Sequence, residues 1–316
     1  MKLGVSFGHS LNPTEMVDGA VTCEKLGFDA LFVSESTGID ALSVLGAIAA
    51  KTSRTEIGSG VVNVYSRSPT QLAMAASTLS ELSAGRFVLG IGSSSKAVIT
   101  GWHGLEYANQ LRTVSDSIDS LRKKIGETKS RLRGKSPDKF TILLAAVGEN
   151  MVSLARTKAD GLIFFLRPLN LIRKDLVGTD ASAFRICVSV VTCVSEQVDA
   201  AEERVRRTLA FYIAFGEAYR KLLVSRGDGL LSNVLATSIR NEWVRGKSQQ
   251  SAALVPLELL EQLAIFGTPA ECKKKVEEYR SIHALSTLLL QFNAGSDNLA
   301  ESFSLFGKLA DEAIVK

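Results

Sequence analysis

Residues 55–92 read TEIGSGVVNVYSRSPTQLAMAASTLSELSAGRFVLGIG, and they contain a strand, a helix and a second strand in succession. Thr55–Gly60 begins the first strand. A helix opens at Pro69, where the fixed φ of proline suits a first turn, and runs through Met74, Leu79 and Leu82. Arg86–Gly92 (RFVLGIG) then forms a strand without polar alternation, the pattern of a strand covered on both faces. This succession is one βαβ unit of a parallel sheet.

The same rhythm extends in both directions. Lys2–Phe7 is the first strand. A helix follows from the Asn12-Pro13-Thr14 cap, carries Met16, Val17, Ala20, Cys23 and Leu26 on one stripe, and stops at Gly27. Asp29–Ser34 is the second strand, and Leu42–Ala50 is the core-facing part of the next helix. Further strands are expected at Thr141–Ala146, Gly161–Phe165, Arg185–Val191 and Thr287–Leu290. Eight strands in a chain of this length fit a (β/α)8 TIM barrel, residues 1–316 forming one domain. An open doubly wound sheet would carry G-x-G-x-x-G after its first strand, and GVSFGHS does not. About Ser195–Phe266 reads as a helical insertion before the last βα unit, with Arg226 to Gln250 loop-rich.

Composition excludes several classes of function. With 46% hydrophobic and 22% charged residues among 316, the chain can bury a full core. A net charge of +4 is too mild for a nucleic-acid footprint, although it suits a small anionic ligand. The basic stretch Arg122–Lys139 lacks interleaved aromatics and is expected to be a solvated helix end facing away from a barrel's active site. Cys23, Cys187, Cys193 and Cys272 show no C-x-x-C spacing and read as reduced core thiols. With only three histidines, zinc chemistry is poorly supplied. No apolar run reaches the roughly 18 residues of a membrane span, and MKLGVSFGHS is no signal stretch, so a cytoplasmic location is expected.

In such a barrel the loops after the strands carry the chemistry. They hold His9; Glu35 through Asp40; Gly60 through Arg67; Gly92-Ser93-Ser94-Ser95 followed by Gly101-Trp102-His103-Gly104; Val147-Gly148-Glu149-Asn150; and Arg167-Pro168. Gly148-Glu149-Asn150 opens a helix, where free N–H groups and the dipole favour an anion. Arg167 on the adjacent strand end could supply counter-charge, and a plain helix cap with Arg167 on the surface is the equal alternative. Walker A, G-x-S-x-G, H-E-x-x-H and paired-carboxylate motifs are all missing, so hydrolysis and phosphoryl transfer have no sequence handle. An anion seat among small, apolar loops suggests that a bound cofactor carries redox chemistry.

Gly58 to Ser95 closely resembles the strand-three to strand-four region of the bacterial luciferase-like superfamily, in its coenzyme F420-dependent branch. That branch includes methylenetetrahydromethanopterin reductase. Phe32–Thr52, the Trp102-His103-Gly104 motif and Phe266–Tyr279 extend the likeness over most of the chain outside the insertion. The resemblance implies a non-prolyl cis peptide at Gly60-Val61 buttressing a deazaflavin ring, with Asn63 close to that ring and Glu35 at its polar edge. It implies a phosphate at Gly148, Glu149 and Asn150, and Ser93 and Ser94 lining the pocket. Three departures bear on mechanism: Ser36 stands where the sugar-phosphate branch has histidine, Glu149 where proline is common, and Thr100 where an acid is frequent. The substrate therefore cannot be inherited.

His9, after strand one, is the remaining acid/base candidate beside Glu35. His103 is expected to be structural, and His283 lies before the last strand, on the wrong side. The leading expectation is an F420-dependent oxidoreductase moving a hydride to or from a small organic molecule, a methylene-tetrahydropterin among the options. An FMN-dependent monooxygenase on the same barrel is the related alternative, and a degenerate, non-catalytic binding barrel is the alternative of another class. A homodimer or homotetramer is expected by analogy.

Overall fold

In the computed structural model, residues 1–8, 10–129, 140–179, 183–226 and 229–310 are described. The strands are β1 Lys2–Phe7, β2 Ala30–Val33, β3 Glu56–Ser59, β4 Val62–Asn63, β5 Phe87–Gly92, β6 Thr141–Ala145, β7 Gly161–Phe165, β8 Arg185–Val194, β9 Ala264–Gly267 and β10 Thr287–Asn293. The helices are α1 Pro13–Lys25, α2 Ala41–Lys51, α3 Pro69–Leu82, α4 Gln110–Lys129, α5 Glu149–Lys158, α6 Leu169–Asp175, α7 Val198–Phe215, α8 Glu217–Arg226, α9 Asn233–Val244, α10 Ser248–Ala253, α11 Leu257–Leu263, α12 Pro269–Arg280 and α13 Leu299–Gly307.

Parallel pairing runs β10-β1-β2-β3-β5-β6-β7-β8, and β8 returns to β10, which closes a (β/α)8 barrel. The other two strands are extensions. β4 continues β3 and pairs with β5, while β9 pairs with the end of β8 beyond the reach of β7. Ala30, Phe32, Val88, Leu143, Ile163, Cys187 and Leu289 fill the lumen as an apolar plug. The opposite faces of the strands pack against the helical ring, so the strands are apolar on both sides and their sequences do not alternate.

Local signals set the helix starts. Asn12 and Glu15 form a capping box on α1, with Pro13 in the first turn, and Thr268 and Glu271 repeat the device on α12. Ser68 caps α3 ahead of Pro69. Of the expected basic stretch, Arg122–Lys129 lies in α4 and residues 130–139 fall outside the described residues. Arg122 is tied to Asp160 at 3.2 Å and to the Lys158 carbonyl at 3.0 Å.

The insertion corrects the sequence reading in two places. The expected loop-rich region, Arg226 to Gln250, is largely helical: α9 and α10 occupy it. Ser232 caps α9, whose narrow apolar face, Ala236 and Ile239, packs with Val205, Leu209 and Leu223 in a second core cluster. The polar run Arg240-Asn241-Glu242 hides that face in the sequence. Inside the stretch assigned to the insertion, Ala264–Gly267 also forms the unexpected strand β9. Four apolar residues after a helix become a strand only because β8 offers them a partner.

Candidate functional site

Side chains alternate along a strand, so the residue two places beyond each member of the lumen plug faces inward again, nearer the C-terminal end. Those residues are Ser34 beyond Phe32, Gly90 beyond Val88, Ala145 beyond Leu143, Phe165 beyond Ile163, Ser189 beyond Cys187 and Gln291 beyond Leu289. Ser6 on β1 is the register partner of Gln291. The apolar plug therefore ends beneath a rim of small and polar residues, with Phe165 its one large apolar member. Reading the loops alone missed this rim. The signal was present as a polar or small residue late in most of the apolar runs, β7 with Phe165 being the exception.

One wall of the rim is irregular. β3 leaves its ladder after Ser59, the Gly60–Val61 peptide is cis, and Val62 resumes pairing as β4. The Val61 side chain packs on the lumen plug. Ser34 Oγ donates to the Gly60 carbonyl at 2.9 Å, and the Gly60 N–H donates to Val33 O at 2.8 Å. The kink needs close neighbours without side chains. A Cβ at Gly90 would stand 2.0 Å from Ser59 O, and one at Gly92 would stand 3.0 Å from Val61 Cγ2.

The residues flanking the kink hold it from both sides. The Glu35 N–H donates to Val61 O at 3.3 Å, while the carboxylate turns to Arg67, accepting bonds of 2.7 and 2.8 Å from its guanidinium, and to the Ala41 N–H at 3.2 Å. Arg67 also bonds Asp40 at 3.0 Å, and these carboxylates, Glu35 foremost, push the guanidinium further toward its charged form. Glu35 is thus an acceptor committed to a clasp between the loops after β2 and β4. Asn63 is buried, and its Oδ1 accepts from the N–H groups of Tyr65 and Ser66 at 3.0 and 2.7 Å. Ser94 adopts φ +58, an unusual value for a residue with a side chain, and its carbonyl accepts from Tyr107 Oη at 3.0 Å. Ser93 beside it is half-buried. A π-helix, Ala97–Trp102, follows that turn, a rare form found mainly as short interruptions near functional sites. Behind it His103 Nε2 is buried without a hydrogen-bond partner among the described residues.

Gly148 is the N-cap of α5 in extended conformation, and no side chain caps the helix. A Cβ there would meet nothing within 4 Å. Glu149 and Asn150 are exposed beside it. Arg167 departs from the expected counter-charge. It is 4% exposed, its guanidinium bonds Asp175 and donates to Val147 O at 3.0 Å, and it lies 4.4 Å over the Phe164 ring. Its donors face the loop's interior, because the carboxylate of α6 captures them. The cation at the helix start is instead Arg226, at the end of α8, 3.0 Å from Glu149 and 3.0 Å from Asp175. Nothing in the sequence brings residue 226 to residue 149; the docking of the insertion does. His9 lies outside the described residues, and His283 precedes β10 as expected.

A polar cavity of about 470 Å³ opens at the opposite end of the barrel, lined by Lys2, Glu24, Arg54, Glu56, Arg86 and Arg185. Its charges are consumed structurally. Glu56 bonds Arg185 at 2.7 Å and Lys2 at 3.0 Å, and Arg86 donates to the carbonyls of Thr52, Thr55 and Ser83. It is the supporting underside, and barrel chemistry belongs to the other face. The four cysteines are free and buried. Burial pushes Cys187 and Cys193 up to about 11 and Cys272 up to about 12, values that describe inert thiols. Among the described residues no group of His, Cys, Asp and Glu is arranged to hold a metal, and no helix is long and apolar enough to cross a membrane.

Comparison with known proteins agrees with this fold. A protein of Mycobacterium tuberculosis provisionally named a coenzyme F420-dependent oxidoreductase is 24% identical, over 94% of this chain and 96% of its own. The 5,10-methylenetetrahydromethanopterin reductase of Archaeoglobus fulgidus is 26% identical, over 88% of this chain and 90% of its own. Among solved structures, the coenzyme F420-dependent tetrahydromethanopterin reductase of Methanopyrus kandleri superposes with a TM-score of 0.79 at 16% identity, covering 97% of each chain. Residues 2–285 match the luciferase-like monooxygenase family, a span that takes in every element from β1 through α12, and the chain belongs to that family.

Proposed function

We propose that the chain is an oxidoreductase that binds coenzyme F420 at the C-terminal mouth of its barrel and exchanges a hydride between it and a small organic substrate. The observation that carries this reading is the Val61 shelf, an apolar side chain resting on the lumen plug inside a rim of mostly small and polar residues that includes one amide. Such a surface suits the face of a flat ring and leaves polar atoms at its edge. The names of the relatives from Mycobacterium tuberculosis and Archaeoglobus fulgidus support the same class of chemistry.

The residues divide the work. Val61 supports the ring from below, and the glycines at 90 and 92 make room for the kink that carries it. The Glu35–Arg67–Asp40 clasp fixes the loops on either side of the shelf. The uncapped start of α5 offers the N–H groups of Glu149 and Asn150 to an anionic tail, and Arg226 adds positive charge beside it. Asn63, Ser93 and Ser94 border the shelf, and Arg167 acts one step back by holding the Val147 carbonyl. When bound, the deazaflavin supplies the hydride donor or acceptor, and the chain supplies orientation and exclusion of water.

The test is a titration of the purified protein with F420 and, separately, with FMN, read by fluorescence quenching. Saturable F420 binding is the expected result. FMN binding without F420 binding would replace this reading with an FMN-dependent monooxygenase. Binding of neither would refute it. F420 binding without exchange of isotopic hydrogen at the deazaflavin for any alcohol, pterin or activated alkene would make the chain a binding protein.

A further inference from the structure

One of the buried polar atoms without a hydrogen-bond partner among the described residues lies at the rim of the lumen. It belongs to Gln291, which is 8% exposed. Its Nε2 donates to the Tyr212 hydroxyl at 3.0 Å, but its Oε1 is buried with no hydrogen-bond partner among the described residues. A buried acceptor without a partner costs about 1–3 kcal/mol, so native proteins keep very few of them.

Position singles this group out. Gln291 is one layer above Leu289 of the apolar plug and pairs in register with Ser6. Ser6 Oγ lies 3.5 Å from Ser34 Oγ, which in turn holds the Gly60 carbonyl. The amide thus belongs to the same polar arc that borders the Val61 shelf. The nearest atom to a Cβ built at Gly8, just past the end of β1, is Gln291 Nε2 at 3.5 Å, so the backbone there leaves room. Tyr212 comes down from α7 of the insertion. Its ring packs edge-on against Phe165 at 4.8 Å and Tyr219 at 6.3 Å, an aromatic wall over the β7 side of the mouth.

The chemistry of the pair is specific. With Nε2 donating to the phenol oxygen, the phenol hydrogen is free to donate and Oε1 is free to accept. Turning the amide over gives the same outcome, because Tyr212 then donates to Oε1, the amide N–H is free to donate and the phenol oxygen accepts. Burial pushes the Tyr212 phenol up, so it stays neutral and keeps its proton. In either arrangement a donor stands beside an acceptor.

We infer that Gln291 and Tyr212 form a recognition element for a cyclic amide edge, an N–H next to a C=O, on the molecule bound over the Val61 shelf. The inference rests on the ligand site proposed above and names the chemistry that the site selects. Two molecules could carry such an edge: the pyrimidinedione of a deazaflavin, or a lactam-bearing heterocyclic substrate.

The variants Gln291→Leu and Tyr212→Phe separate these sources. Tyr212→Phe is the conservative partner, since it removes one hydroxyl from a packed ring, and melting curves report the folding of both. Affinities are measured for F420 on the unloaded protein. On protein with and without F420 they are measured for lumazine, a pteridinedione with an amide edge, and for 1,3-dimethyllumazine, which keeps the bicycle and both carbonyls but has methyl groups in place of the amide N–H donors. Loss of F420 affinity by about tenfold in both variants assigns the pair to the cofactor. Unchanged F420 affinity with a comparable loss for lumazine, and less than about twofold for the dimethyl compound, assigns it to the substrate. Folded variants that bind F420 and lumazine as wild type does, or a wild type that prefers the dimethyl compound, overturn the inference. A wild type that binds neither F420 nor FMN removes the proposed cofactor instead, and the lumazine arm still decides the role of the pair.

Discussion

Replacing Glu35 with glutamine distinguishes a clasp from a chemical group. The carboxylate is 7% exposed and accepts three hydrogen bonds, two from Arg67 and one from the Ala41 N–H. Glutamine keeps one acceptor oxygen and turns an NH2 toward the guanidinium, so one charge-assisted bond is lost and another weakened. Each such bond contributes about 1.5–3 kcal/mol. Arg67 keeps Asp40 at 3.0 Å and is not left alone, which holds the net loss to about 2 kcal/mol. In a domain of this size that corresponds to a drop in melting temperature of about 3 °C. The loops after β2 and β4 loosen together, so F420 affinity falls by roughly threefold through lost preorganisation. Thermal denaturation and fluorescence titration of Glu35→Gln, Arg67→Leu and the double variant measure both effects, with a coupling of about 1–2 kcal/mol expected between the two sites. An unchanged melting temperature together with abolished hydride exchange would refute the reasoning, because Glu35 would then act on the reacting atoms. An unchanged melting temperature with zero coupling would remove the clasp altogether.

Three other perturbations follow from the same geometry. Gly148→Asp gives α5 the side-chain cap it lacks, so the protein should gain about 0.3 kcal/mol in urea denaturation while F420 affinity falls about tenfold, since the new carboxylate occupies the anion's place; equal affinity would show that no phosphate sits there. On the underside, burial raises the Glu24 carboxyl, but N–H groups of Ser53, Arg54 and Thr55 outweigh it and bring it down to about 2, and Arg185 and Lys2 lower Glu56 in the same sense. A folded value below the unfolded one contributes stability above about pH 4.5 that is lost as pH falls toward about 2, and Glu24→Gln should flatten the pH dependence of the urea midpoint across that window. Finally, native protein at pH 8 should leave all four cysteines unreacted with an aromatic disulfide reagent, and denatured protein should titrate four thiols; rapid reaction of the native form would contradict their burial.

The sequence by itself determined the barrel. Each strand announces itself as an apolar run of the right length between caps and glycines, and each helix by its period. These are local properties, and the eight barrel strands lie where the runs lie. The strand-three block also marked the kink at Gly60–Val61 through its likeness to a family, and the uncapped helix start at Gly148 through its own residues. Tertiary structure alone decided which charged side chains meet. Arg167 reads as a free cation after a strand, and only the return of Asp175 on α6 and the docking of Arg226 on α8 commit it inward and put a different arginine beside Glu149. The same holds for Glu35, whose partner is 32 residues away across two loops, and for Gln291, 79 residues from Tyr212. Periodicity along a chain fixes the direction a side chain faces within its element. What it meets there depends on how distant elements pack, and no local pattern encodes that distance.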